Sequence, residues 1–274
     1  MADADKHFYP SGHDSTVLRS HRTRNAANSA PHLLPHLRST DSLLDIGCGP
    51  GTITCSLARH VARVVGVEHP SAGEAILEGA REEAKTRGVA DKVSFEFADA
   101  LELPYEDDSF DVVYCHQVLQ HVSDPIAVLR EMRRVSRRLI CAREADRGTM
   151  SLYPPDAAGS LARFDSLWYA VSRAGGGEPD AGRRLKSWAL AAGFEEGEVE
   201  VTAGTSTPDP REWGEMWSAR VVKSDLATKA VELGLATREE LEEMSRAWLE
   251  WSTKPDAWFG YVQGDLLAWK GGKR

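Results

Sequence analysis

"LLDIGCGPGTIT" (residues 43–54) joins an apolar run, an acidic residue and three glycines, and its reading decides the fold. Leu43, Leu44 and Ile46 read as a buried strand that ends in a turn built from Gly47, Gly49 and Gly51. Glycines at alternate positions let the backbone pass close to a ligand, and a helix beginning near Thr52 turns its free N–H groups toward that ligand. Asp45, directly before the glycines, adds a negative charge to the same turn.

Working outward, "RVVGVE" (63–68), "VSFEFAD" (93–99), "FDVVYCH" (110–116) and "RRLICARE" (137–144) are short, apolar and rich in β-branched residues. Helix-like stretches at 52–62, 71–87 and 124–136 separate them, the first carrying Ile53, Leu57, Ala58 and Val61 on one face. Alternating strand and helix predicts a parallel sheet covered on both faces, with ligands at the carboxyl ends of its strands. Residues 14–37 read as two short helices divided by Pro31. After residue 147 the rhythm breaks, then resumes with helix-like "AGRRLKSWALAAGF" and strand-like "GEVEVTAGT". Residues 209–253 carry helical patches, where Thr237 and Glu240 fit a capping box. A last strand lies within "GYVQGDLLAWK". The expected organisation is one domain over 1–274: lid helices 1–40, a core at 41–147, cap insertions at 148–179 and 207–256, and the rest of the sheet at 180–206 and 257–274.

Composition narrows the function. With 42% hydrophobic and 27% charged residues, the chain reads as an ordinary globular protein. A net charge of −9 argues against the nucleic-acid backbone as partner, and "REMRRVSRR" (130–138) reads as a solvated helix face. No apolar run approaches the ~20 residues of a membrane helix, and the polar, acidic start is unlike a signal peptide, so a cytoplasmic protein is expected. Cys48, Cys55, Cys115 and Cys141 form no metal-spaced pair and read as reduced, buried thiols. His32 and His36 share a helix face, but Pro35 intervenes and no third ligand is evident, so no metal is expected.

The glycine spacing discriminates between ligands. A dinucleotide fingerprint needs G-x-G-x-x-G, and here the third glycine falls one place early, with Thr52 in its position. Asp45 opposes a pyrophosphate but favours S-adenosylmethionine, which carries an ammonium and a sulfonium and no phosphate. Glu68 ends the second strand, where a carboxylate can take two ribose hydroxyls. Asp99 ends the third, where it can accept an adenine amine while the Ala100 N–H reaches a ring nitrogen. Singly, an acid at a strand end is more often a helix cap or a solvated turn, but three at successive strand ends above one glycine turn are much less easily explained that way. The fourth strand delivers His116 and Gln117 to the same rim.

With these residues in place, the sequence resembles the class I S-adenosylmethionine-dependent methyltransferases, and among them the UbiE-like small-molecule group. The resemblance rests on "LLDIGCGPGTIT", "VVGVE", "FADALELPYEDDSFDVVYCHQVLQHVSDPIAVLREMRRV" and the later "AGF", covering about 40–145 closely and 180–205 loosely. It implies a doubly wound Rossmann-like α/β sheet of seven strands, the last antiparallel, with strands at "EVEVTAGT" and "DLLAWK". It implies a cofactor site of Asp45, Gly47, Cys48, Gly49, Glu68, Asp99, Ala100, His116 and Gln117, with Gly47 and Gly49 at the methionine part, Glu68 at the ribose, and Asp99 with Ala100 at the adenine. "RRVSRRLICARE" departs from many relatives in lacking a Pro-Gly-Gly turn before the fifth strand.

Methyl transfer from a sulfonium is an in-line displacement, of whose barrier positioning can supply roughly 7–11 kcal/mol. His116 is the best-placed candidate base, although packing on the cofactor is the favoured reading of it, and His121 reads as structural. All eight tryptophans follow residue 150. Trp213 with Trp217, and Trp248 with Trp251, can share helix faces as cap core. An apolar, aromatic acceptor pocket is expected from among Tyr153, Phe164, Trp168, Trp217, Trp258 and Phe259, with Tyr9, His13 or His21 reaching in from the N-terminal lid. Such walls suit a flat or hydrophobic small molecule or a tertiary amine. The rivals are a cofactor-binding protein with a non-methylating reaction, a nucleic-acid base methyltransferase and a nicotinamide oxidoreductase. The fourth strand's "CHQVLQ" lacks the Asn/Asp-Pro-Pro-aromatic turn of base methylation.

Overall fold

The computed structural model describes residues 23–272; Tyr9, His13, His21 and the start of the expected lid lie outside them. A seven-stranded sheet of order β3-β2-β1-β4-β5-β7-β6 organises the chain. β1 (Ser42–Ile46) is buried along its whole length between β2 (Arg63–Glu68) and β4 (Phe110–His116), both parallel to it. A central strand covered on both faces must be apolar without alternation, which is how Leu43, Leu44 and Ile46 read. β3 (Val93–Phe97) pairs in parallel with β2 at one edge. On the other side, β7 (Trp258–Trp269) runs antiparallel to both β5 (Ser136–Tyr153) and β6 (Val199–Ser206).

Helices cover the sheet on both faces: α2 (Thr52–Leu57), α3 (Glu74–Thr86), α4 (Pro125–Val135) and α6 (Ala181–Ala191). Two apolar clusters result, one holding Leu43, Leu57 and Tyr114, the other Leu44, Leu129 and Ile140. Ahead of β1, α1 (Ala26–Ser29) is closed by a capping box between Asn25 and Asn28, and a 3-10 turn covers Leu34–His36. α2 stops at Leu57, short of the expected 62.

Two differences from the sequence reading concern β5. α4 passes into β5 with no residue between Val135 and Ser136, the structural form of the missing Pro-Gly-Gly turn. β5 also continues to Tyr153, well past the expected limit at Glu144, pairing with β7 out to Tyr153 opposite Trp258. That extension is polar and contains a glycine, so only its antiparallel partner marks it as strand.

A third cluster joins α5 (Ser160–Ala174), α7 (Pro210–Lys223), α8 (Asp225–Glu232) and α9 (Arg238–Ser252) to Phe259 of β7. The spacing Leu161, Phe164, Trp168, Val171 puts one face of α5 in this core, and Leu241, Met244, Trp248, Trp251 does so for α9. Phe164 is its centre, with ring centroids 5.2 Å from Trp217 and 5.5 Å from Trp248. Trp213 meets Trp217 at 5.9 Å, and Trp248 meets Trp251 at 5.6 Å. The Thr237 hydroxyl accepts from the Glu240 N–H at 3.2 Å, and the Glu240 carboxylate accepts from the Thr237 N–H at 2.8 Å. Among the described residues, no helix is long and apolar enough to cross a membrane.

Candidate active site

The glycine turn sits at the carboxyl end of β1, with Gly47 at φ +70 and Gly49 at φ +52. A Cβ on Gly47 would stand 2.5 Å from a Val118 methyl, so the turn packs directly against the loop after β4. Gly47 and Cys48 donate to the Val67 carbonyl at 2.8 and 3.0 Å, which binds the turn to β2. The Gly49 N–H donates to one oxygen of Glu68 at 2.9 Å and the His69 N–H to the other at 3.0 Å, so this carboxylate lies against the glycine turn. Asp99, just beyond β3, accepts from the Leu101 N–H at 2.9 Å. Its neighbour Ala100 packs half-buried against the sheet's second cluster.

Asp45 lies beneath the turn rather than in it. It is buried and accepts the Thr54 hydroxyl proton at 2.6 Å. Burial pushes its pKa up to about 7, with the Glu68 charge adding to the rise and the Thr54 hydrogen bond opposing it. Burial likewise holds the Cys48 thiol protonated.

At the end of β4, His116 is buried and its Nδ1 has no hydrogen-bond partner. Burial first, then the charges of Arg24 and Arg143, push its pKa well below the usual value, leaving a neutral imidazole at pH 7. Gln117 follows at φ +56, left-handed for a non-glycine residue, a geometry that concentrates at functional sites. Its side chain accepts from Arg24 at 2.7 Å and donates to Gln263 at 3.3 Å, and Gln263 donates to the Ser206 hydroxyl at 2.6 Å. This chain of amides ties the segment before α1 to β4, β7 and β6 across the sheet's rim. Glu144 fixes the loop after β4 by accepting the N–H groups of Val118, Leu119 and Gln120 at 2.9, 2.9 and 3.2 Å.

Beside this rim a cavity of about 600 Å³ opens between the sheet and the helical cluster. Trp168 and Trp217 line it as expected. Phe164 and Phe259 stand behind them in the cluster core. Tyr153 and Trp258 pair at the far end of the β5–β7 ladder, 57% and 48% exposed, outside the lining. The wall is not the apolar one expected: Arg24, Arg143, Arg147 and Arg220 line it together with His116 and His121. The reason is β5, which carries Arg143 near its expected end and Arg147 on its extension along the cavity while the cluster supplies aromatic rings. Burial, with the charges of Arg24 and Arg220, lowers the His121 pKa to about 3.

Arg143 is held by both oxygens of Asp265, at 2.5 and 2.8 Å, and donates to the Asn28 carbonyl at 2.8 Å. His32 Nε2 and the Cys141 sulfur share a hydrogen bond at 2.9 Å, and burial lowers the His32 pKa to about 4. His36 instead packs edge-on against Trp269. None of Arg143, Glu144, Arg147, Arg220 or Gln263 stood out in the sequence. The signal was present in "ICAREADR", where Arg143 and Glu144 end a strand expected to be buried on both faces and Asp146 and Arg147 follow it.

A methyltransferase-domain family model matches residues 44–138. An uncharacterized methyltransferase of Schizosaccharomyces pombe is 30% identical over 279 residues, covering 96% of this chain and 96% of that protein. The 27-O-demethylrifamycin SV methyltransferase of Amycolatopsis mediterranei is 40% identical over 124 residues, 45% of this chain and 44% of that one. The YcgJ protein of Bacillus subtilis shares the fold at a TM-score of 0.56 and 16% identity, covering 88% of this chain and 98% of its own. The strand order with antiparallel β7, the glycine turn and full-length similarity to a methyltransferase lead to one conclusion: the chain belongs to the class I S-adenosylmethionine-dependent methyltransferases.

Proposed function

We propose that the chain methylates a small organic acceptor held in the 600 Å³ cavity, with the cofactor seated on the glycine turn beside it. The observation that carries this reading is the adjacency of the turn and the cavity. Val118 packs on Gly47, and the neighbouring His116 and Gln117 line the cavity. The residues fit the cofactor. Gly47 and Gly49 have backbone angles that favour glycine, so the chain can approach the methionine part closely. Glu68, lying against that turn, has acceptor capacity left for the ribose hydroxyls. Asp99 and Ala100 would hold the adenine, and Asp45 and Cys48 would support the turn from below. When bound, the cofactor supplies an electrophilic methyl group.

The chain's own contribution is positioning and exclusion of water. Gln117, held between Arg24 and Gln263, fixes the rim where acceptor and methyl group would meet. His116, neutral and unpartnered at Nδ1, can accept a hydrogen bond or a proton from a nucleophilic N, O or S. Its lowered pKa makes it a weak base, which favours alignment over full deprotonation. In this reading the helical cluster acts as the cap and the first described residues as part of a lid. The rifamycin methyltransferase supports a small-molecule acceptor.

The test is calorimetric titration with S-adenosylmethionine and S-adenosylhomocysteine, followed by incubation with a metabolite extract and product masses. Binding of both, with a metabolite gaining one methylene mass, is expected. Binding without any such gain would remove the proposed reaction.

A further inference from the structure

We infer that the methyl acceptor carries a carboxylate, which Arg147 binds through its two terminal guanidinium nitrogens, away from the rim where the methyl group is transferred. This rests on the reading of the cavity as the acceptor site. In a chain of net charge −9, the described lining of this cavity has four arginines and no aspartate or glutamate. Clefts lined by one sign of charge attract ligands of the other.

The arginines differ in what already occupies them. Arg143 is neutralised bidentately by Asp265, and Arg24 donates to Gln117. Arg147 is different: it is buried, and the single hydrogen bond of its side chain runs from Nε to Asp165 at 2.7 Å. Aromatic rings surround it, with centroids 4.8 Å (Trp168), 5.6 Å (Phe164) and 5.8 Å (Trp217) from the guanidinium carbon. Rings stabilise the cation but accept little from its edge, and Nη1 and Nη2 donate to no described group. Leaving donors of a buried guanidinium unmatched is costly. Two carboxylate oxygens fit that edge as a planar fork.

Arg143 stands opposite His116 in the β4–β5 register, and Arg147 lies four residues further along β5. At ~3.3 Å per residue that separates the two backbone positions by about 13 Å. The carboxylate is therefore an anchor and not the methylated group, and Trp168 and Trp217 flank an organic body in between.

The probes are indole-3-acetate and its uncharged analogue indole-3-acetamide, titrated calorimetrically into the full chain with and without S-adenosylhomocysteine. The carboxylate is expected to bind at least tenfold more tightly than the amide, and Arg147→Gln to abolish that preference. Asp165→Asn, on a half-exposed side chain, removes the competing carboxylate and should raise the preference severalfold; it keeps the inference testable if Arg147→Gln misfolds. Equal affinity for the pair, binding of neither, a preference that survives Arg147→Gln, or one unchanged in Asp165→Asn would overturn it. A preference that follows Arg147 while S-adenosylhomocysteine fails to bind would instead count against the cofactor assignment alone.

Discussion

The two halves of the sheet's carboxyl rim are built in opposite ways. Over β1, β2 and β3 the site is backbone and carboxylate: the glycine turn, Glu68 against it, Asp99 at the next strand end. Over β4, β5 and β7 it is cationic and aromatic: Arg24, Arg143, Arg147 and Arg220 with Trp168 and Trp217. In the proposed reading the first half takes a cationic cofactor and the second an anionic acceptor, two ligands of opposite charge on a single rim. Their construction differs too. The β1–β3 half draws on short local stretches, whereas the β4–β7 half gathers residues that are more than a hundred positions apart, such as Arg24 and Gln263.

If the halves are separable, damage to one should spare the other. The largest effect is expected from Gly49→Val, which forces a β-branched side chain into a left-handed turn. S-adenosylhomocysteine binding should fall below calorimetric detection while the indole-3-acetate preference persists. Loss of both would join the halves into one unit. Next comes Phe164→Ala, which removes the centre of the aromatic cluster and should destabilise the chain by about 3–5 kcal/mol in denaturant titration. Below the transition, cofactor affinity should stay within twofold of the unmodified protein; a larger drop would show that the cluster supports the cofactor half.

The smallest effect sharpens the role of Asp45. Its pKa rises from 3.8 to about 7 on folding, mainly through burial. Between those values the folded state holds a proton that the unfolded state has released, so this group's contribution to stability is present below pH 3.8 and lost as pH rises toward 7. Asp45→Asn should flatten that part of the Tm–pH profile, with cofactor affinity reduced far less than by Gly49→Val. An unchanged profile would mean that Asp45 is ionised throughout.

Legibility followed the same division. Gly47, Gly49, Glu68 and Asp99 stood out because each marks the end of a strand whose apolar run is visible in the sequence. The cavity was harder to read. Trp168 and Trp217 line it, but Tyr153 and Trp258 face solvent, because aromatic residues near an insertion carry no sign of which face they present. Arg143 and Arg147 were missed because a charged residue in a strand has no periodic signature, and β5 beyond Glu144 is strand only through its pairing with β7.

By itself the sequence determined the sheet, the glycine turn and the cofactor class, since apolar period, glycine spacing and strand-end acids act over a few neighbouring residues. Only the tertiary structure decided the charge of the cavity beside the rim. That charge is the sum of side chains contributed by distant elements, each neutralised or left available by partners that no local spacing records: Asp265 occupies Arg143, while only the Nε of Arg147 is taken, by Asp165.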